Sequence, residues 1–99
     1  MFINTIEMPP IKPEKGKEFL EWFRWSNSIY KNFEGFISRR LLKQITGNRN
    51  YVILMEHESE ETFMKMHSSK EQIEAFAKLN PLLDGKRIVN FYEVVVDNL

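Results

Sequence analysis

The sequence predicts an α+β fold, and three observations predict it. Short runs rich in β-branched and apolar residues lie at 2–8, 36–45, 51–58 and 87–96, each bounded by Pro, Gly or Asn. Apolar residues recur at helical spacing between the first and second runs and again between the third and fourth. The connections are short. The order β-α-β-β-α-β with right-handed crossovers has one compact solution, a four-stranded antiparallel sheet with helices on one face, the ferredoxin-like arrangement. A chain of 99 residues forms one domain, residues 1–99, without repeat or linker.

The first strand, FINTIEM, places Phe2, Asn4, Ile6 and Met8 on one face and Ile3, Thr5 and Glu7 on the other. Pro9, Pro10 and Pro13 end it, because proline has no N–H for the ladder. A helix is expected from Pro13, with Glu14 favourable to its dipole. Phe19, Trp22, Phe23, Ser26, Ile29, Tyr30 and Phe33 form its inner stripe, and Gly35 is the expected stop. FISRRLLKQI and YVILMEHE read as a hairpin around Gly47-Asn48. Ser59 caps a short helix carrying Phe63 and Met66, and Ser69 with Gln72 matches a capping box for a second piece carrying Ile73, Phe76 and Leu79. Asn80-Pro81 closes that helix, Asp84-Gly85 turns the chain, and RIVNFYEVVV is the last strand.

Two helices cover one face of such a sheet, yet the strands carry apolar residues on both. A bare apolar face would be a large exposed patch, so a homodimer with sheets face to face is expected. Lys and Arg total 14 against 14 for Asp and Glu, which leaves no field to hold nucleic acid or an anionic membrane. The absence of cysteine excludes disulfides, thiolate metal sites and cysteine nucleophiles. No secretory leader or membrane-spanning run is evident, so a soluble cytoplasmic protein is expected. Eight Phe, three Tyr and two Trp suit a large core, an apolar pocket or a subunit interface.

Four segments, IKPEKGKEFLEWF, FEGFISRRLL, YVILMEHESEETFMKM and the closing FYEVVV, resemble the antibiotic biosynthesis monooxygenase-like domains. These belong to the dimeric α/β-barrel superfamily, which includes haem-degrading monooxygenases. The resemblance spans nearly the whole chain and implies a dimer with a pocket in each subunit between sheet and helices. Haem-degrading members use an asparagine late in strand one, a tryptophan in the short helix and a histidine downstream. Aligned without gaps, those positions fall on Glu7, on Met66, and near Phe76 or Ala77, and many members carry tryptophan where this chain has His57.

Candidate chemistry is sparse. His57 and His67, ten residues apart across a strand-to-helix step, fit no metal-ligand spacing. His57 is expected at a strand end, with Glu56 and Glu58 favouring its charged form. His67, near the pocket mouth, is the candidate general base or haem ligand. Asn4 could orient oxygen or a carbonyl, and Glu7 could serve as an acid or base if its face lies under the helices. Trp22, Phe23, Phe63, Met66 and Phe76 are the candidate pocket residues; aromatics at helical spacing also read as plain core. Arg39 and Arg40 point to opposite faces of the second strand; one could pair with a ligand carboxylate, and the plainer expectation is that both are solvated.

The expected function is a small monooxygenase acting on an aromatic, quinol-like or porphyrin-like molecule in an apolar pocket. No cofactor is required, because an electron-rich substrate can itself reduce oxygen; haem remains possible as substrate or ligand. The rival reading is a non-catalytic dimeric ligand-binding or structural member of the same fold.

Overall fold

The computed structural model describes residues 1–98. Four strands, β1 (Phe2–Glu7), β2 (Phe36–Lys43), β3 (Tyr51–His57) and β4 (Ile88–Glu93), form one antiparallel sheet in the order β2-β3-β1-β4. Helices α1 (Gly16–Tyr30), α2 (Glu60–His67) and α3 (Lys70–Leu79) pack on one face, and a short 3-10 turn, Asn80–Leu82, follows α3. The architecture is the ferredoxin-like α+β fold the sequence predicts, with its second helix split in two.

The register fixes which side chains meet. In β1, Phe2, Asn4 and Ile6 are buried beneath the helices, while Ile3, Thr5 and Glu7 lie on the open face. Ile53, Met55 and His57 of β3 stand beside them, and Arg39 of β2 opposes Met55. A bulge between Phe36 and Ser38 restores the alternation of β2, so that Phe36 and Arg39 both reach the helix side.

Helix α1 starts at Gly16, three residues later than expected from Pro13. Glu14 explains the delay: at φ 68 it lies in the left-handed region and cannot belong to a right-handed helix. The inner stripe of α1 is as expected, with Phe19, Trp22, Phe23, Ser26 and Tyr30 buried. Trp22 donates its indole N–H to the Ala75 carbonyl at 2.8 Å, which ties α1 to α3.

The two serine caps account for the split helix. The Ser59 hydroxyl accepts from the Thr62 amide, and Thr62 reciprocates in a full capping box. The Ser69 hydroxyl accepts from the Gln72 amide at 3.2 Å. The expected return bond from Gln72 is not made; its side-chain oxygen accepts instead from the Tyr30 hydroxyl. Consequently α3 buries Gln72, Ala75 and Leu79, and Ile73, expected inside, is exposed.

Strand β4 is shorter than its apolar sequence suggests and is exposed along its whole length. Phe91 stacks against Phe2 at 5.8 Å and meets Phe63 edge-on at 5.6 Å, yet remains 46% exposed. The open face mixes Ile3, Leu42, Val52, Leu54, Ile88 and Tyr92 with Glu7 and an Arg40–Glu56 pair at 3.4 Å, so it is less uniformly apolar than the sequence suggests. Among the described residues no helix is long and apolar enough to cross a membrane.

Candidate functional site

A small chamber lies between the sheet and the helices. Asn4 and Ile6 of β1 with Ile53 and Met55 of β3 form its floor; Tyr30 of α1, Met66 of α2, and Gln72 and Phe76 of α3 form its roof; Arg39 of β2 closes one side. Its free volume is about 10 Å³, the space of roughly one water molecule. Of the candidate pocket residues Met66 and Phe76 line the chamber, and of the candidate catalytic residues Asn4 does. Asn4 is buried, with its amide donating to the Asn90 carbonyl at 3.1 Å.

The other candidates lie elsewhere. Glu7 is on the open face, where its carboxylate accepts from Gln44 at 2.8 Å. His67 is exposed and stacks on Phe63 at 5.5 Å, outside the chamber lining. Phe63 is plugged between Phe2 and His57. Trp22 and Phe23 enclose Arg39 rather than the chamber.

His57 corrects the expectation of a charged strand-end histidine. It is 0% exposed, its Nδ1 is 3.0 Å from the Thr62 hydroxyl, and its Nε2 has no hydrogen-bond partner. Burial pushes its pKa down, and the opposing pull of Glu58 is the smaller effect. Both imidazoles contact the same ring, Phe63, His57 edge-on and His67 face-on. Among the described residues no three His, Asp or Glu side chains are arranged to hold a metal ion.

The residue that sequence reasoning misplaced is Arg39. Expected in solvent, it is only 9% exposed. Its guanidinium carbon sits 4.4 Å from the Phe23 ring centroid, 4.6 Å from Tyr30 and 5.4 Å from Trp22. Nη1 donates to the Ser26 hydroxyl and the Asn27 side-chain oxygen, both at 2.8 Å, while Nε has no partner. Among the described residues no carboxylate lies within ion-pairing distance of it. Burial lowers its pKa from 12.5 to about 10, so it is still a cation at neutral pH. Burial likewise raises the neighbouring Tyr30 to about 12, which keeps that phenol neutral. The available signal was periodicity: Arg39 lies two residues before Leu41 on the inward face, opposite the aromatic stripe of α1.

This constellation offers an enclosed positive field, a neutral phenol bound to an amide, and a second amide at Asn4. It favours an anion over its conjugate acid. Neither His57 nor His67 lines the chamber, so no histidine among the described residues is placed to ligate a haem iron there.

The profile of the antibiotic biosynthesis monooxygenase family matches residues 1–79. No curated protein matches the chain significantly. Among solved structures, a conserved protein from Methanosarcina mazei superposes with a TM-score of 0.80 at 23% identity, covering 93% of this chain and 91% of its own. Rv0793 from Mycobacterium tuberculosis gives 0.81 at 13% identity over 98% of each chain. A variant of SnoaB, a cofactor-independent oxygenase from Streptomyces nogalater, gives 0.80 at 12% identity over 97% of this chain and 95% of its own. At these identities the superpositions establish the fold, and the family match establishes the lineage: the chain belongs to the antibiotic biosynthesis monooxygenase family.

Proposed function

We propose that this chain is a cofactor-independent monooxygenase that oxidises a compact phenolic or quinol-like ring between its sheet and helices. The observation that carries this reading is the buried, uncompensated cation of Arg39 beside Asn4, Tyr30 and Gln72 in a small chamber between sheet and helices. A phenol brought there ionises more readily, because the positive field favours phenolate; its proton passes to water on entry and is taken up again when the reduced oxygen leaves as water. The phenolate is the electron donor to oxygen, and the same field stabilises the reduced oxygen species that follow. The balance needs no other reductant: a phenol with a hydrogen on its para carbon plus O₂ gives the para-quinone plus water. His67 and Glu7 stand outside the chamber, so the reading relies on the field of Arg39 rather than on a side-chain base. Family membership and the likeness in fold to SnoaB, itself described as cofactor-independent, support it.

Any such ring is larger than the chamber, so this reading requires it to open, with the break at Ser68–Ser69 between α2 and α3 as the hinge. Met66, unbranched and conformationally adaptable, and Phe76 are the side chains that must yield. The exposed length of β4 and the apolar part of the open face support a homodimer, whose second copy covers them. A second reading rests on the chamber's volume, since a family member that never opens would be a non-catalytic dimer. Protein prepared without oxygen, mixed with 1-naphthol and then exposed to air, separates the two. The oxygenase consumes one O₂ for each 1,4-naphthoquinone formed, above the buffer rate. The non-catalytic dimer leaves the buffer rate unchanged.

A further inference from the structure

On the outer side of Arg39, between α1 and β2, runs an open groove of about 460 Å³. Leu20, Phe23, Leu41 and Leu42 supply its apolar surface; Arg24, Arg39 and Arg40 supply its charge; no acidic residue lines it. Arg40 is engaged with Glu56 across the sheet at 3.4 Å. Among the described residues neither Arg24 nor Arg39 has a carboxylate within ion-pairing distance. The chain as a whole is neutral, so three arginines in one groove are a local arrangement and not a general basicity.

We propose that this groove binds a small amphipathic carboxylate, with Arg39 as the buried anchor, Arg24 at the rim, and the apolar part of the ligand on Leu20, Phe23 and the β2 leucines. A planar guanidinium held by three aromatic rings is pre-oriented, so little rotamer freedom is lost when a carboxylate docks. Burying a cation without a counter-ion is costly, and a bound carboxylate is the group that removes that cost. The apolar half of the lining selects against inorganic anions, and the groove's size selects against polymers. Nucleotides are disfavoured as well, since no glycine-rich loop or lysine lines the groove to cradle phosphates. The groove shares Arg39 with the chamber, but this proposal does not need the oxygenase reading: it is assayed by binding alone, without turnover.

The test is titration of the intact protein with sodium benzoate, benzamide and sodium sulfate, followed by calorimetry and by backbone amide shifts. Benzoate is expected to bind in the millimolar range, as suits so small a ligand, and at least about tenfold more tightly than benzamide. The amide shifts should centre on Leu20 to Asn27 and Arg39 to Leu42. Arg24→Glu, at an exposed position, should weaken benzoate at least about fivefold without altering thermal stability. Arg39→Met should abolish its preference over benzamide. Equal affinity for benzoate and benzamide, equal affinity for sulfate, or shifts centred on Asn4, Met55 and Phe76 would each overturn the proposal. Should Arg39→Met not fold, Arg24→Glu and the shift map still decide it.

Discussion

Replacing Arg39 with Met should leave the stability of the domain almost unchanged, an unusual outcome for a buried side chain hydrogen-bonded to both Ser26 and Asn27. The fall in its pKa from 12.5 to about 10 corresponds to roughly 3 kcal/mol against the buried cation at neutral pH, at about 1.4 kcal/mol per pH unit. Methionine removes that cost and fills much of the same volume. The losses are the bonds from Nη1 to Ser26 and Asn27 and the contacts with three rings. Bonds to a charged donor contribute about 1.5–3 kcal/mol each when truncated, less for Asn27, which is half-solvated. The opposing contributions nearly cancel, and the variant should lie within about 1.5 kcal/mol of the parent by urea unfolding. The pH dependence gives a second reading. A base whose pKa is depressed on folding destabilises the native state while both states are charged, and that penalty fades as pH rises through the folded pKa. The parent should therefore gain stability relative to Arg39→Met above about pH 10. Tyr30, raised to about 12 by burial and held back by Arg39, acts the opposite way; without Arg39 that restraint is lost, which moves the difference in the same direction. A loss above about 3 kcal/mol at pH 7 would mean that Arg39 is a structural keystone and would refute the idea that it is kept at a cost to stability.

Gly35→Ala should be far more damaging than a surface change: Gly35 has φ 84, and an added Cβ would overlap the Thr62 side chain that caps α2. Left-handed strain of about 1–2 kcal/mol and a disturbed cap worth about 1 kcal/mol predict a loss of about 2–3 kcal/mol in urea unfolding. Recovery of parental stability would show that the close approach of Gly35 to Thr62 is relieved without cost. For His57, whose pKa is lowered on folding, the unfolded chain protonates first as pH drops below about 6.5, so stability should fall there. His57→Phe should flatten that acid limb, and an unchanged pH profile would exclude His57 as its source. Light scattering should give a mass twice 11.9 kDa at micromolar concentration; a stable folded monomer would remove the case for a covered sheet face.

Much of the fold was legible because several local signals agree. The alternation of β1, the serines at 59 and 69, and the aromatic stripe of α1 each point to the element that forms. The start of α1 was misread because Pro13 is acceptable in a helix's first turn, whereas the left-handed Glu14 that follows has no sequence signature. Which face of β1 meets the helices was open, since Asn4 and Glu7 are both polar and tertiary packing decides. The site was less legible still. Arg39 reads as surface by residue type, and only the three rings around it and the acceptors Ser26 and Asn27, 12 or 13 positions away, make its burial tolerable. Gln72 was read as half of a capping box, but its partner is Tyr30, 42 residues distant. His57 was assigned a charge from its sequence neighbours, whereas Phe36 and Phe63 surround it in space.

The most direct measurement is the fate of the oxygen atoms. Protein incubated with 1-naphthol under ¹⁸O₂ should yield 1,4-naphthoquinone carrying one heavy atom, with the second in water, at a rate proportional to protein and unaffected by metal chelators. Arg39→Met should retain the fold and lose most of that rate, because the cation that favours the phenolate is gone. Quinone labelled from water rather than from O₂, or labelled product formed equally well by Arg39→Met, would contradict an oxygenase built around Arg39.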